Sequence, residues 1–279
     1  MRMLISEILC VGDELLSGIT INTNAYWISQ KITEAGGSVK RITVIKDDVE
    51  EISLGIRDSI SRKPDWLILC GGLGPTYDDK TMQGVASGLG SKLVVDKIAL
   101  DMLKKSYARH SMNYELNEIR LKMAKIPIGS TPIQNPVGSA PSVLIETGVT
   151  KIVCLPGVPG EMEQIFLESI LPQMKKIIGD FHIVEYNYEI VGVSEAMLAH
   201  TISEIVESNP PNSIYLKTHP LGYSSNNNNN NNKPQLRVQL VSKGNDKAEV
   251  QRRFNNISNI LLEELSRLNG RIVRSQDGS

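Results

Sequence analysis

Apolar positions along the chain follow two rhythms. Leu4 to Val11 is a short apolar run with a single charge, Glu7, and fits a buried strand. Asn22 or Thr23 then caps a helix running to about Ala35, with Ala25, Ile28 and Ile32 on one face, and Gly36-Gly37 stops it. Ser38 to Ile45 alternates as a second strand, Val49 to Ser61 reads as a helix, and Asp65 to Cys70 is a third strand. Strand and helix in alternation predict an α/β unit built on a parallel sheet. Asp79 to Leu89, Asp96 to Arg109 and Tyr114 to Ala124 read as helices that cover one end of that sheet. Ser142 to Glu146 and Lys151 to Leu155 flank Thr147-Gly148-Val149-Thr150 as a hairpin. Pro159 to Ile178 is a helix with Pro172 as a candidate kink.

The pattern changes at Gly179-Asp180, which sets the predicted domains at 1–178 and 180–274. Ile183 to Val191 is a strand, Ser194 to Glu207 a helix capped by Ser194, Ser213 to Thr218 and Leu236 to Ser242 are strands, and Ala248 to Leu268 is a helix. Arg271 to Arg274 is a candidate last strand. The order β-α-β-β-α predicts a small α+β domain, and no chemistry stands out in it. Between its middle strands lie seven consecutive asparagines, Asn226 to Asn232. Such a polar run buries no apolar area and reads as a mobile loop.

Composition narrows the function classes. The 279 residues carry 30 Lys and Arg against 31 Asp and Glu, a formal charge of -1, so the basic footprint of a nucleic-acid binder is missing. No apolar run approaches the length of a membrane span. Met1 to Ser6 lead straight into a strand without a signal peptide, which makes the cytoplasm the expected location. Cys10, Cys70 and Cys154 show no metal spacing; each ends an apolar run just before a glycine loop and reads as a small buried residue. The four histidines stand outside the glycine loops.

The chemistry concentrates in Cys70-Gly71-Gly72-Leu73-Gly74-Pro75-Thr76-Tyr77-Asp78-Asp79-Lys80-Thr81. Glycines after an apolar strand let the backbone turn and present N–H groups as a cradle for phosphate. Two adjacent carboxylates follow, which suits a phosphate held together with a divalent cation such as Mg, Mn or Co. The plainer alternative is a glycine turn in which Asp78 or Asp79 caps the next helix. The stretch lacks the lysine of a P-loop. In open α/β sheets ligands bind beyond the carboxyl ends of the strands, which gathers Gly12-Asp13-Glu14, Asp47-Asp48, Gly71 to Asp79 and Gly157 to Glu161 on one edge. Asp78 and Asp79 are the first metal and catalytic candidates. Glu14 is a ligand or a general base. Asp48 caps the helix at Val49, binds metal, or does both, and Glu161 binds metal or complements a helix dipole. Asn24 and Asn135 read a base or ribose, or serve turns.

Five motifs in order, Gly12-Asp13-Glu14-Leu15-Leu16-Ser17-Gly18, Asn22-Thr23-Asn24-Ala25, Gly71 to Thr81, Asn135-Pro136-Val137-Gly138-Ser139-Ala140-Pro141 and Leu155-Pro156-Gly157-Val158-Pro159-Gly160-Glu161-Met162, resemble the competence/damage-inducible protein CinA family. The resemblance is strong from Ile5 to about Leu171. It implies a three-layer α/β/α domain similar to the molybdopterin-binding MoaB/Mog type. It also implies divalent-metal-dependent hydrolysis of ADP-ribose to AMP and ribose 5-phosphate, with molybdopterin binding or adenylylation, or a non-catalytic nucleotide-binding module, as rivals. The loop residues and the motifs together nominate Asp78, Asp79 and Glu14 as catalytic, and Asp78, Asp79, Asp48 and Glu161 as metal ligands. They nominate Gly12, Asp13, Asn24, Gly71, Gly72, Leu73, Gly74, Pro75, Thr76, Asn135, Gly138, Pro156 and Gly157 for the nucleotide ligand. A homo-oligomer follows from the resemblance alone. The nicotinamide mononucleotide deamidase domain found in many members is not expected within this chain. Ser142 stands where the family usually has glycine, with a narrowed pocket or an altered turn as the expected consequence.

Overall fold

The structure, a computed structural model, describes residues 3–110, 117–224 and 233–277. The chain divides into two compact units, Met1–Ile178 and Gly179–Ser279. In the first, β1 (Ile5–Val11), α1 (Asp13–Leu16), α2 (Thr23–Glu34), β2 (Ser38–Ile45), α3 (Val49–Ser61) and β3 (Trp66–Cys70) follow in chain order. Then come α4 (Thr81–Leu89), β4 (Leu93–Val95), α5 (Lys97–His110), α6 (Glu118–Leu121), β5 (Lys125–Pro127), β6 (Thr131–Ile133), β7 (Ser142–Glu146), β8 (Lys151–Leu155), α7 (Pro159–Ile165) and α8 (Leu171–Ile178).

Six strands form one sheet in the order β2-β1-β3-β8-β7-β6. β2, β1, β3 and β8 run parallel, and β7 and β6 add an antiparallel edge. Alternate residues of a strand face opposite sides. Leu9, Leu67, Leu69 and Ile152 therefore share a core with Ile52 and Ile56 of α3, Val85 of α4 and Leu103 of α5. On the opposite side α2 and α7 bury Ala25, Ile28, Ile32, Met162 and Ile165, and Trp27 meets Phe166 edge-on at 5.7 Å. The result is a three-layer α/β/α domain, as the family resemblance implies, built on the parallel sheet that the alternation of elements predicts. Glu7, the single charge in β1, is buried and held by two bonds from Arg62, at 2.8 and 2.6 Å.

Several local expectations shift. Tyr114 lies outside the described residues, and the predicted helix to Ala124 becomes the single turn α6 and a 3-10 turn over Lys122–Ala124. The short strands β4, β5 and β6 have too few residues to show a period, and the sequence pattern does not announce them. The helix at Pro159 carries a π turn over Phe166–Ile170 just ahead of Pro172, whose missing N–H cannot close the regular ladder. Ser142 is buried in β7 opposite Ile133, and its Oγ has no hydrogen-bond partner.

The second unit holds β9 (His182–Val191), α9 (Glu195–Ser208), β10 (Ile214–Ser224), β11 (Lys233–Gly244), α10 (Lys247–Arg267) and β12 (Arg271–Asp277). Its antiparallel sheet runs β10-β11-β9-β12, so the candidate last strand is a full sheet member and completes the split β-α-β arrangement of a ferredoxin-like unit. Ile190, Leu236, Val238 and Leu240 pack against Leu198 of α9 and Phe254, Ile257 and Leu261 of α10. Ser194 occupies the start of α9 without a side-chain capping bond. The Asn226 to Asn232 run lies outside the described residues.

Candidate functional site

β1 connects through α2 to β2 on one side, and the chain then crosses to β3 on the other side of β1. The switch point between β1 and β3 is where open α/β sheets bind ligands, and both strands end there in glycine. Gly71 sits at φ 109 and its N–H donates to Leu155 O at 3.0 Å. A Cβ at Gly71 would lie 2.3 Å from Val11 O, so only glycine lets β3 pass β1 this closely. The Thr81 hydroxyl donates to Gly71 O at 2.7 Å and fixes the far side of the turn.

The turn is tied by Asp79. Its Oδ2 accepts from Thr76 N at 2.8 Å and from the Thr76 hydroxyl. The N-cap position of α4 falls to Lys80, so neither Asp78 nor Asp79 caps that helix. Pro75 has no N–H and that of Thr76 is engaged, so the cradle's donors reduce to Gly72, Leu73 and Gly74. The Thr76 hydroxyl, the backbone N–H, and Lys122 and Lys80 hold the Asp78 carboxyl below the usual range.

Three cavities meet at this turn, and Gly72 and Asp79 border all of them. The first, of about 290 Å³, is the switch-point crevice, lined by Gly12, Glu14, Asn24, Asp47, Asp78 and Gly157 among others. Its electrostatics are the informative part. Burial, and then the carboxylates of Glu14, Asp13 and Asp78, push Asp47 above its ordinary value, against a bond of 2.9 Å from Asp13 N to Asp47 Oδ2. Carboxylates that crowd one another in this way favour a counter-cation. The structure brings Asp47 to the cavity in place of Asp48. Asp48 caps α3, accepting from Glu50 N at 2.9 Å and Glu51 N at 3.2 Å, and those bonds lower its pKa. Among the described residues no group of three or more His, Cys, Asp or Glu is placed to hold a metal unaided. A hard cation here would complete its shell with ligand phosphate and water.

Glu161 lines a different part of the site, and Asn135 is buried behind it. Asn135 is fully buried: Nδ2 donates to Ala140 O at 3.0 Å and Glu161 Oε2 at 2.6 Å, and Oδ1 accepts from Val137 N and Gly138 N. Its amide is spent in shaping the 135–141 segment. Gly138 lies against Glu161, and Ser106 donates to Gly138 O at 2.5 Å. Pro156, Gly157, Gly138, Glu14 and Glu161 line the third cavity, of about 650 Å³. Asn24 Nδ2 donates to Gly157 O at 2.8 Å and Cys70 Sγ at 3.2 Å, binding α2 to the loop after β8. The cysteines are buried, and burial pushes the Cys70 thiol up to about 12, so it is neutral and packed.

Two residues outside the predicted set enter the site. Asp47 was visible as half of an acidic pair, and only the turn geometry decides which half faces inward. Lys122 gave no sequence signal. It reaches the glycine turn from 46 residues away and donates to Thr76 O.

The fold and site define a three-layer α/β domain with an acidic crevice at its topological switch point. Residues 7–176 match the family model described as "Probable molybdopterin binding domain", and the chain belongs to that family. It is 41% identical to the CinA protein of Thermoplasma acidophilum, described as of unknown function, whose crystal structure superposes with a TM-score of 0.57 over 63% of this chain and 99% of that one. The resemblance to CinA proteins is thereby borne out. A protein of Sulfolobus acidocaldarius is 39% identical over 96% of this chain and 97% of its own length. One of Sulfurisphaera tokodaii is 38% identical over 99% and 100%. Among the described residues no helix is long and apolar enough to cross a membrane.

Proposed function

We propose that the first unit is a divalent-metal-dependent hydrolase of a nucleotide diphosphate linkage, with ADP-ribose as substrate and AMP and ribose 5-phosphate as products. The observation that carries this is the pairing of a glycine turn with crowded carboxylates: Gly72 to Gly74 beside Asp47, Glu14, Asp78 and Asp79. Asp47, Asp78 and Asp79 are the residues that would hold the cation, since their carboxyl groups line one crevice and hard cations take oxygen ligands. A bound cation supplies charge neutralisation at the phosphoryl oxygens and acidifies a bound water. The N–H groups of Gly72, Leu73 and Gly74 orient the diphosphate. The Thr76 bonds keep Asp79 aimed along the turn, and Glu14 stands at the crevice as the base that takes a proton from water.

The test is AMP release from ADP-ribose by the purified chain with Mg²⁺, Mn²⁺ or Co²⁺, against an EDTA control. Metal-dependent release that falls in Asp79→Asn supports the hydrolase. No release with any metal overturns it. The family match favours one second reading, molybdopterin binding or adenylylation in the same crevice. A pterin chromophore retained on purification, without ADP-ribose turnover, would place that reading first. Tight ADP-ribose binding without turnover would instead indicate a non-catalytic nucleotide-binding module.

A further inference from the structure

The sheet register sets Cys10 of β1 directly beside Cys70 of β3 on the neighbouring parallel strand. Register partners send their side chains to the same side of a sheet, and here that side is the one covered by α2. The Cys10 thiol donates to Oδ1 of Asn22, the cap of α2, at 3.6 Å, and Asn24 Nδ2 donates to Cys70 Sγ at 3.2 Å. Both cysteines line the switch-point crevice together with Asp47, Asp78 and Asp79. Cys154 packs on the other side of the sheet, in the core with Leu69 and Ile152.

Strand spacing selects the chemistry open to this pair. Adjacent strands lie about 4.8 Å apart. A disulfide needs Cβ atoms about 3.8 Å apart, so oxidation would have to draw β1 and β3 together. Two metal–thiolate bonds of about 2.3 Å laid end to end span roughly 4.6 Å, which the strands already provide. Among the described residues no group of three or more His, Cys, Asp or Glu is placed to hold a metal, so the ion must be one that two sulfurs satisfy. Asn24 Oδ1 is buried without a hydrogen-bond partner, and the Nδ2 of the same amide touches Cys70. A positive charge between the sulfurs would meet that unpaired oxygen. A monovalent ion between two thiolates leaves a negative charge beside the crowded carboxylates, whereas a divalent one leaves none.

We propose that Cys10 and Cys70 form a two-sulfur site for a soft divalent cation of the Hg²⁺ type, distinct in chemistry from a hard cation at the carboxylates. On binding, both S–H bonds break, two metal–sulfur bonds form and two protons leave to solvent. No electron is transferred, and the bound group is neutral. Cys10 gives up its bond to Asn22, while Asn24 Nδ2 continues to donate to the Cys70 sulfur and orients it as a ligand. The proposal is independent of ADP-ribose hydrolysis, since it uses neither the glycine N–H groups nor the carboxylates.

The experiment is titration of the whole reduced chain with Hg²⁺ in an excess of a competing monothiol, glutathione, read by the ultraviolet thiolate-to-metal band and by metal retained after desalting. Wild type and Cys154→Ser should each retain one equivalent. Cys10→Ser and Cys70→Ser should each bind at least about 100-fold more weakly, because the second sulfur of a chelate acts at a high effective concentration. Cys10→Ala and Cys70→Ala should repeat that loss without adding a hydroxyl, and melting curves of each variant check that the fold is intact. Retention by Cys10→Ser or Cys70→Ser equal to that of wild type overturns the proposal. So does an equal loss in Cys154→Ser, or no retention by the wild-type chain.

Discussion

Asn135 Nδ2 donates to Glu161 Oε2 at 2.6 Å and joins two motifs of the site across 26 residues. Asn135 uses both ends of its amide in this way, so truncation leaves several buried groups unpaired. Asn135→Ala should cost about 2–4 kcal/mol in denaturant unfolding. Asn135→Asp should cost at least as much at neutral pH, because a second carboxylate then faces Glu161, and that excess should shrink in acid.

Asp47 gives a pH signature with a definite sign. Its folded pKa is raised above the unfolded value, so between those two values the folded state binds more protons. Stability contributed through Asp47 therefore falls as pH rises through that window, and the full cost is present above it. Asp47→Asn should melt higher than the wild type at pH 7, with the difference vanishing at pH values below the ordinary aspartate pKa. Added Mg²⁺ or Mn²⁺ should raise the melting temperature of the wild type more than that of the variant.

Asp79→Asn tests the metal reading with little structural penalty, since an amide can still accept from Thr76 N and meet the Thr76 hydroxyl. The metal concentration needed for half-maximal AMP release should rise about 10- to 100-fold. Asp48→Asn should leave that requirement unchanged and alter only stability, because Asp48 caps α3. An equal metal requirement in Asp79→Asn and wild type would remove Asp79 from the cation site.

Gly71 and Gly90 both have positive φ, at 109 and 63, yet their surroundings differ. A Cβ at Gly71 meets Val11 O at 2.3 Å, whereas at Gly90 it meets nothing within 4 Å. Gly90→Ala should cost about 1 kcal/mol, the strain of a left-handed residue alone. Gly71→Ala should cost more than about 3 kcal/mol and abolish nucleotide binding, because β1 and β3 must separate. Chemical unfolding of the two variants makes the comparison.

The Glu7–Arg62 pair makes a stability prediction away from the site. Glu7's side chain is 6% exposed and that of Arg62 27%. Arg62→Ala should cost about 3 kcal/mol by leaving Glu7 buried without its cation. The double variant Glu7→Leu, Arg62→Leu should recover much of that loss. A double-mutant cycle on unfolding free energies reads the coupling.

The order of strands and helices in the first unit was legible in the chain's own pattern, because strand and helix periods differ and three apolar runs each end at a glycine. The convergence of Gly12, Glu14, Gly71 to Asp79 and Gly157 on one edge followed from the parallel topology. Capping residues such as Asn22 and Asp48 were legible because a cap depends on neighbours a few residues away. The tertiary structure decided what depends on distant neighbours. It decided that Asp47, and not Asp48, faces the crevice, and that Asn135 is spent on Glu161. It decided that Ser142 is buried in β7, and that Lys122 reaches Thr76 from 46 residues away. A periodic pattern records which face of an element is buried. It holds no record of which loop on another element comes within hydrogen-bonding distance, and that pairing sets the charge and shape of the site.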